Sequence, residues 1–468
     1  MNENQNLFSI LRQSADGAVV DQIERLIQDA PDHELNRVNV LAFAAKHHLD
    51  EESTIAAFLH AARLGIFELS WNVLCPGCGG VLDAGTSLKS LDQEQYSCAL
   101  CAAGYEPTLD EMVEVTFTIS PRVRKIAAHE PDTLPMSEYL RQVFWSSGVD
   151  LPDDFERMLE DIVLDAVELP AGERVILSLQ LPPGFVIVFD PVTHAAQFLD
   201  VKGEPTRERQ NLSMILSELH ADNRTLEVRP GPVRLLLENH TKHRTLPAVW
   251  LASDELHRMM ERRRPFLTAK RLLTNQTFRD IYRTETLDID QRLKITSLTF
   301  LFTDLKGSTE LYERVGDLVA YDLVREHFRV LNEIVASEAG AVVKTIGDAV
   351  MATFPNPEHA IAAALRMRDA MRSLNEQRGQ EDLLLKIGIH EGPCLAVVLN
   401  DRQDYFGQTV NIASRVQGLA DSRSIYATGT VIDHPEALEL IETKGLQPNL
   451  QKTTLRGIND EFAVYEIP

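Results

Sequence analysis

The sequence predicts a multidomain α+β protein, because three kinds of pattern follow one another along 468 residues. Helical periodicity dominates the first part of the chain, short alternating strands dominate the middle, and strands alternate with long helices near the end. A chain of this length usually forms two to four domains rather than a single core. We predict five segments: a helical region (1–71), a cysteine ribbon (72–104), a β-rich domain (105–252), a helical connector (253–293) and a C-terminal α+β domain (294–468).

Charge and hydropathy exclude several classes of function. The formal net charge is −24, from 70 acidic and 46 basic residues, and so acidic a surface repels nucleic acid. No stretch approaches the roughly 18 apolar residues of a membrane-spanning helix. The start, MNENQNLFSI, has no basic region followed by an apolar run, so we expect no signal peptide, no membrane insertion and a cytoplasmic location.

The helical segments are predicted from apolar residues at three- and four-residue spacing. In the first region this spacing occurs in residues 19–29, 34–48 and 52–64. In the connector, Ser253 is a plausible N-cap, whereas Pro265 would break or kink a helix. The connector's run Arg262-Arg263-Arg264 is most simply a solvated face, with contact to a partner as the alternative.

The cysteine ribbon contains two C-x-x-C pairs, Cys75/Cys78 and Cys98/Cys101, separated by 19 residues. This spacing predicts a four-cysteine zinc ribbon with one structural Zn²⁺ per chain. A redox pair or an empty ribbon are the alternatives. Acidic residues surround the cysteines, so a structural or protein-binding role is favoured over nucleic-acid binding.

The C-terminal domain shows a βαββαβ order of elements. SLTFLFTD predicts a buried strand, a long amphipathic helix ends at Gly340, two strands flank Gly347, a second helix begins at Pro357, and LLLKIGIHEG predicts a further strand. This order indicates a ferredoxin-like layer, in which helices cover one sheet.

Two acidic residues lie where these strands end. Asp304 follows the first strand, and Asp348 lies in the hairpin turn. Buried carboxylates are costly unless they bind a cation or strong donors, and oxygen ligands suit Mg²⁺ or Mn²⁺. The following residues Gly307, Ser308 and Thr309 begin a helix, whose free N–H groups favour phosphate. Taken singly, these residues are equally consistent with helix caps and a turn.

Four motifs in sequence, FLFTDLKGST, VVKTIGDAVMA, KIGIHEGP and DYFGQTVNIASR, make the prediction specific. Together they resemble the catalytic domain of class III adenylyl/guanylyl cyclases, over about 170 residues. The ribbon followed by VEVTFTISPRVR likewise resembles the amino-terminal region of some soluble bacterial cyclases. That region has no established ligand, so the resemblance implies regulation by an unknown ligand or protein.

The resemblance implies a role for each matching residue. Asp304 and Asp348, with the carbonyl of Leu305, would hold two Mg²⁺ or Mn²⁺ ions per active site. The implied substrate contacts come from four further residues, which bind the adenine ring, its amino group, the ribose and the transition-state charge respectively: Lys344, Asp404, Asn411 and Arg415. In the family these two sets come from different subunits, so a chain with both sets should form a homodimer with two equivalent sites.

The pair Lys344/Asp404 favours ATP over GTP. A lysine donates to N1 of adenine and an aspartate accepts from its amino group, whereas guanine presents the opposite pattern. The predicted function is therefore an adenylyl cyclase that makes 3′,5′-cyclic AMP and pyrophosphate. The alternatives are a cyclase for GTP or a pyrimidine nucleotide, and a non-catalytic nucleotide-binding or zinc-ribbon scaffold. The cation that binds the triphosphate stays open among Lys452, Arg456 and Arg402.

Overall fold

The structure is a computed structural model. It describes residues 3–91, 95–152, 154–217, 225–282, 292–399, 402–421, 424–455 and 461–468. These residues form two compact units: one comprises most of residues 1–267, and the other comprises 268–468 together with 87–89 and 108–110. Among the described residues, no helix is both long enough and apolar enough to cross a bilayer.

The first unit begins with four helices: α1 (Glu3–Leu11), α2 (Gly17–Asp29), α3 (Val40–His47) and α4 (Glu51–Arg63). Aspartate and asparagine side chains cap the last three, accepting backbone N–H groups that have no partner within the helix. The helix predicted over 34–48 starts only at Val40, because Asn39 caps it there and Asp32–Leu35 forms a separate 3₁₀ turn.

A small antiparallel sheet follows. Its strands and those of an adjacent hairpin are β1 (Phe67–Leu74), β2 (Val81–Gly85), β3 (Tyr96–Cys98), β4 (Ala103–Tyr105) and β5 (Val113–Ile119). The sheet has the order β2-β1-β5, and β3 pairs with β4. The segment VEVTFTI, which forms β5, pairs with β1 along its whole length, from Phe67 opposite Ile119 to Val73 opposite Val113.

The remainder of the first unit is a β-sandwich with short helices. Its elements are α5 (Met136–Tyr139), α6 (Phe155–Ile162), β6 (Val163–Ala166), β7 (Arg174–Leu181), β8 (Gly184–Asp190), β9 (Ala195–Val201), β10 (Gln210–Leu216), β11 (Thr225–Val228), β12 (Gly231–Asn239), β13 (Ala248–Leu251) and α7 (Asp254–Glu261). One sheet has the order β10-β12-β7, and the other has the order β11-β9-β8-β13-β6. Residues of both sheets share one buried cluster, as Leu177 and Leu235 do with Val186 and Val188. A two-sheet sandwich is therefore the form that this β-rich segment takes.

The second unit is built on a mixed sheet. Its elements are α8 (Ala269–Leu273), α9 (Gln276–Ile281), β14 (Leu293–Leu305), α10 (Ser308–Val315), α11 (Asp317–Ser337), β15 (Ala341–Ile346), β16 (Ala349–Phe354), α12 (Pro357–Arg378), β17 (Leu385–Leu399), β18 (Arg402–Phe406), α13 (Gln408–Leu419), β19 (Ile425–Thr428), α14 (Gly429–Ile432), α15 (Pro435–Thr443), β20 (Asn449–Thr454) and β21 (Glu461–Ile467). The sheet order is β15-β16-β14-β17-β19-β21-β20, with β18 also paired to β17. From β14 to β17 the chain runs strand, two helices, two strands, helix, strand. The long helix predicted to end at Gly340 is α11, which begins directly after Gly316, whose φ is +80°.

Two features of this unit position the site. Helices α11 and α12 bury Leu331 and Ile361 against strand residues such as Leu301 and Ile389. Helix α13 contacts β17 very closely, because a Cβ on Gly388 would lie only 2.1 Å from the backbone nitrogen of Gln417. Only glycine permits this approach, which fixes the position of α13 on the sheet.

Candidate active site

The two acidic residues predicted to bind metal lie close together. Asp304 is near the end of β14, and Asp348 follows Gly347, whose φ of +66° forms the β15–β16 turn. Burial raises the pKa of Asp304, and the neighbouring charge of Asp348 raises it further. The Oδ2 atom of Asp348 is buried and has no hydrogen-bond partner among the described residues. Two adjacent carboxylates, one with an unpaired buried oxygen, fit a hard divalent cation.

A lysine that the sequence analysis did not single out lies beside this pair. Lys386 of β17 is directly opposite Asp304 of β14 in the antiparallel register, so their side chains are on the same face of the sheet. Its charge opposes the rise in the pKa of Asp304. The residue stands at the start of the KIGIHEGP motif, but the sequence offered no pattern that placed it opposite an aspartate.

A buried histidine lies against the loop that carries Asp348. His327 of α11 is fully buried, and neither ring nitrogen makes a well-aligned hydrogen bond with any described residue. Burial lowers its pKa to about 4, while the backbone and charge of Asp348 act in the opposite direction. The available signal was its position between Leu323 and Leu331 on the apolar face of α11.

The predicted phosphate-binding turn connects β14 to α10. Leu305 ends β14 with a buried side chain, Gly307 has a φ of +72°, and Ser308 begins α10. The carbonyl of Gly307 accepts the first helical hydrogen bond, from Leu311 N at 2.9 Å. The side chain of Thr309 lies outside the part of the structure that is described.

The two residues predicted to read the base are in direct contact. Lys344 Nζ on β15 lies 2.5 Å from Asp404 Oδ2 on β18, and Asp404 Oδ1 accepts a hydrogen bond from Tyr405 N at 2.8 Å. The lysine side chain is 42% exposed and the aspartate side chain 10%. The pair therefore presents a donor beside an acceptor at a position that solvent reaches from the lysine side.

Helix α9 braces the two strands that carry this pair. Arg279 Nη2 donates to Gln403 O at 2.9 Å and to Val343 O at 3.4 Å, which are the residues immediately before Asp404 and Lys344. Gln276 Oε1 accepts a hydrogen bond from Val342 N at 2.8 Å. The sequence of these residues predicts only a connector, since no local pattern indicates contacts more than 60 residues away.

Asn411 and Arg415 lie one turn apart on α13, so they share a face of that helix. Asn411 is exposed and Arg415 is half-buried. Within the described part of the chain, no hydrogen bond or ion pair links either residue to the aspartate pair or to Lys344 and Asp404. Within one chain, the described contacts therefore leave three separate groups: the aspartate pair, the Lys344/Asp404 pair and the two residues of α13.

Two of the three candidate cations for the triphosphate belong to the described residues. Arg402 is exposed on β18, and Lys452 is exposed on β20. Arg456 lies outside the described residues.

The four cysteines of the ribbon form one cluster in the first unit. Their sulfur atoms all lie within 4.8 Å of one another, with 3.6 Å between Cys75 and Cys101 and 3.7 Å between Cys78 and Cys98. These distances are far too long for disulfides. They match the separation of about 3.8 Å expected for four sulfurs bound tetrahedrally at about 2.3 Å from Zn²⁺. The tight turn is possible because Gly79 has a φ of +72°.

Comparison with known families assigns both parts of the chain. Residues 291–462 match the family model described as "Adenylate and Guanylate cyclase catalytic domain", so the C-terminal part is a class III cyclase catalytic domain. Residues 1–280, more than half of the chain, match the model described as "Family of unknown function (DUF5939)". The chain belongs to this family.

Individual relatives match a limited part of the chain. An adenylate cyclase of Anabaena cylindrica is 25% identical over 185 residues, covering 36% of this chain and 36% of that protein. Guanylate cyclase 32E of Drosophila melanogaster is 30% identical over 141 residues, covering 28% of this chain and 12% of the relative. The crystal structure of the adenylyl cyclase CyaB from P. aeruginosa is 22% identical, with a TM-score of 0.34 over 38% of this chain and 96% of that one. The matches thus span about a third or less of the curated relatives.

Proposed function

We propose that the chain is an adenylate cyclase that converts ATP to 3′,5′-cyclic AMP and pyrophosphate at sites shared between two copies of the chain. The cyclase family includes enzymes for both ATP and GTP, so the choice of base needs its own evidence. The observation that carries the proposal is the contact between Lys344 Nζ and Asp404 Oδ2 at 2.5 Å.

The chemistry of this pair selects adenine. The ion pair holds a donor and an acceptor side by side, and adenine offers the complementary acceptor N1 and donor amino group. Guanine offers a protonated N1 and a carbonyl oxygen, so a donor would face the lysine and an acceptor would face the aspartate. A base whose donors and acceptors are mismatched with those of the site binds less well.

The other residues act on the sugar and the phosphates. Asp304 and Asp348 would hold divalent cations, which lower the pKa of an attacking hydroxyl and neutralise phosphate charge when bound. Asn411 orients the ribose so that its 3′-OH lies in line with the α-phosphate. Arg415 donates planar N–H groups to the charge that develops there, and the N–H groups at the start of α10 favour the triphosphate.

Two copies are needed because, in this family of enzymes, the metal-binding residues and the substrate-binding residues of one site come from different subunits. The proposal is supported by the exposure of Asn411 and of Lys344, which leaves both accessible to a nucleotide held by a second chain. Each copy would contribute its aspartate pair to one site and its Lys344, Asp404, Asn411 and Arg415 to the other.

The test is product formation from four nucleoside triphosphates, each assayed separately with full-length protein and Mg²⁺ or Mn²⁺. We expect cyclic AMP and pyrophosphate from ATP, at a kcat/KM at least about 100-fold above that for GTP. Equal or faster turnover of GTP, or of a pyrimidine nucleotide, would overturn the adenine assignment. A chain that forms no cyclic nucleotide from any of the four would be the non-catalytic scaffold.

We also propose that the cysteine cluster holds one structural Zn²⁺. Cys75, Cys78 and Cys98 are almost completely buried, and four thiolates supply a closed set of ligands without an open position for substrate. Such a site stabilises the surrounding fold and takes no part in cyclisation. The amino-terminal unit would thus serve regulation, with the zinc holding β1–β4 in place.

A further inference from the structure

A cavity in the amino-terminal unit has the composition of a ligand site. It has a volume of about 410 Å³ and lies among α3, the segment that precedes it and the residues that follow α5. This volume is within the usual range for small-molecule pockets, roughly 300–1,000 Å³. Nothing in the cyclase reaction uses it.

Three polar atoms of residues that line this cavity are buried and make no hydrogen bond with any described residue. They are Trp145 Nε1, Gln142 Oε1 and Arg141 Nε, and none has a hydrogen-bond partner among the described residues. Trp145 is 2% exposed and Gln142 is 6% exposed, so bulk water does not satisfy them. Each such atom costs about 1–3 kcal/mol of folding free energy.

The lining is also cationic, although the chain as a whole is strongly acidic. The lining contains four basic side chains and one carboxylate: Arg37, Lys46, Arg141, Arg264 and Glu34. The carboxylate of Glu34 pairs with Lys46 at 3.0 Å. Two acidic residues that do not line the cavity lie near its arginines. Glu138 Oε1 is 3.7 Å from Arg141 Nε, and the charge of Glu114 acts on Arg37. Burial raises the pKa of Glu114, whereas a hydrogen bond from Ser147 and the charge of Arg37 lower it.

The walls are held in place before any ligand arrives. Asn36 Nδ2 donates to Gln142 O at 2.7 Å, and Arg37 Nη1 donates to Val143 O at 2.5 Å. Arg141 and Gln142 lie in a π-helical turn (Leu140–Phe144), a rare form that often occurs at functional sites. Arg37 has a φ of +48°, an uncommon backbone conformation for a residue with a side chain.

We propose that this cavity binds a small organic anion that carries a carboxylate or phosphate group. The arginines bind its oxygen atoms, since a guanidinium matches the geometry of either group. The site belongs to the DUF5939 part of the chain, whose ligand is thereby defined by chemical class.

The test is calorimetric titration of the full-length chain with ribose 5-phosphate, 3-phosphoglycerate, citrate and glutamate, each against sodium chloride at equal ionic strength. We expect at least one probe to bind with a dissociation constant below about 1 mM. Binding by a phosphate probe or by a carboxylate probe identifies the group. Failure of all four to bind more tightly than this overturns the proposal.

Substitutions of lining residues test whether the probe binds in this cavity. Arg141→Gln should weaken binding at least tenfold, whereas Arg229→Gln, on an exposed arginine of the same unit, should not. Lys46→Gln is a milder variant of an exposed lining residue, in case the buried changes unfold the unit. The bound probe should also change tryptophan fluorescence in the parent but not in Trp145→Phe. Binding that all these variants leave unchanged would place the ligand elsewhere and refute the proposal.

Discussion

The cysteine cluster and the candidate active site, each proposed to bind metal, differ in how completely one chain supplies the ligands. In the cluster, four sulfur atoms of one chain lie within 4.8 Å of one another and are mostly buried. In the active site, Asp348 keeps a buried oxygen without a partner among the described residues, while Asn411 and Lys344 face solvent. The four cysteines of one chain would form a complete set of ligands. The active-site residues of one chain leave positions open for a cation and a nucleotide.

Because of this difference, the cluster should contribute to folding stability and the active site to catalytic turnover. A closed set of ligands contributes its binding free energy to folding, because the unfolded chain has no preformed site. An open set can accept a substrate, and its charged groups are poorly satisfied until a cation and nucleotide arrive. Damage to the cluster should therefore affect folding first, and damage to the aspartate pair should affect activity alone.

The largest effect is expected from Asp348→Asn. The amide keeps the size of the side chain but removes the charge that holds a cation, so kcat should fall at least about 1,000-fold. The melting temperature should stay the same or rise slightly, because the charge next to Asp304 is removed. The matched control is Asp369→Asn, on an exposed residue of α12. An Asp348→Asn chain with near-normal turnover would show that this aspartate holds no catalytic metal.

The cluster should respond in the other way to Cys101→Ser. Loss of one thiolate should reduce tightly bound zinc from about one per chain to a small fraction, and should lower the unfolding temperature of the amino-terminal unit. Cys394→Ser is the control, because Cys394 is a lone buried cysteine in β17. Elemental analysis and differential scanning calorimetry measure the two quantities. A parent protein that is stable and free of zinc would remove the distinction drawn between the sites.

Gly388→Ala should displace α13 while leaving the predicted substrate-binding side chains of that helix unsubstituted. The new methyl group would lie 2.1 Å from Gln417 N, so α13 must move or the fold must lose about 2–4 kcal/mol. Either result displaces Asn411 and Arg415, and we expect at least a tenfold loss of kcat. Gly418→Ala, in the same helix, meets nothing within 4 Å and should be neutral or slightly stabilising. Equal behaviour of the two variants in urea unfolding and activity assays would contradict the close packing.

A smaller effect is expected from Arg279→Met. The change removes the donors to Val343 O and Gln403 O, so the strands that carry Lys344 and Asp404 lose a common brace. We expect kcat/KM for ATP to fall about 3- to 10-fold, with a relative gain for GTP. Arg329→Met, on an exposed arginine of α11, is the control. A change in stability without any change in the ATP-to-GTP ratio would show that Arg279 is only structural.

Local patterns were enough to predict the elements from β14 to β17 of the cyclase part. The apolar run of β14, the glycine at 347 and the 3.6-residue period of α12 depend on neighbours in sequence, so a short window of residues is enough to reveal them. The cysteine spacing likewise predicted a cluster that the fold brings together. The helix predicted over 34–48 was too long because the capping by Asn39 was not recognised.

Contacts between distant segments were beyond such reasoning. The pairing of β5 with β1, the position of Lys386 opposite Asp304 and the brace from Arg279 each depend on which strands meet. His327 shows the same limit in another form, since a histidine in an apolar stripe is visible but its contact with the Asp348 loop is not. The roles assigned to the site residues and the five predicted segments stay predictions.

The most direct test of a shared active site is complementation between two inactive chains. Asp304→Ala and Arg415→Ala damage opposite halves of each site, so a mixed dimer keeps one intact site. Since random pairing makes about half of the dimers mixed, the mixture should recover about a quarter of the parent rate, although each variant alone is inactive. No recovery from well-folded, co-refolded chains would contradict the claim that one copy holds the metals while the other grips the nucleotide.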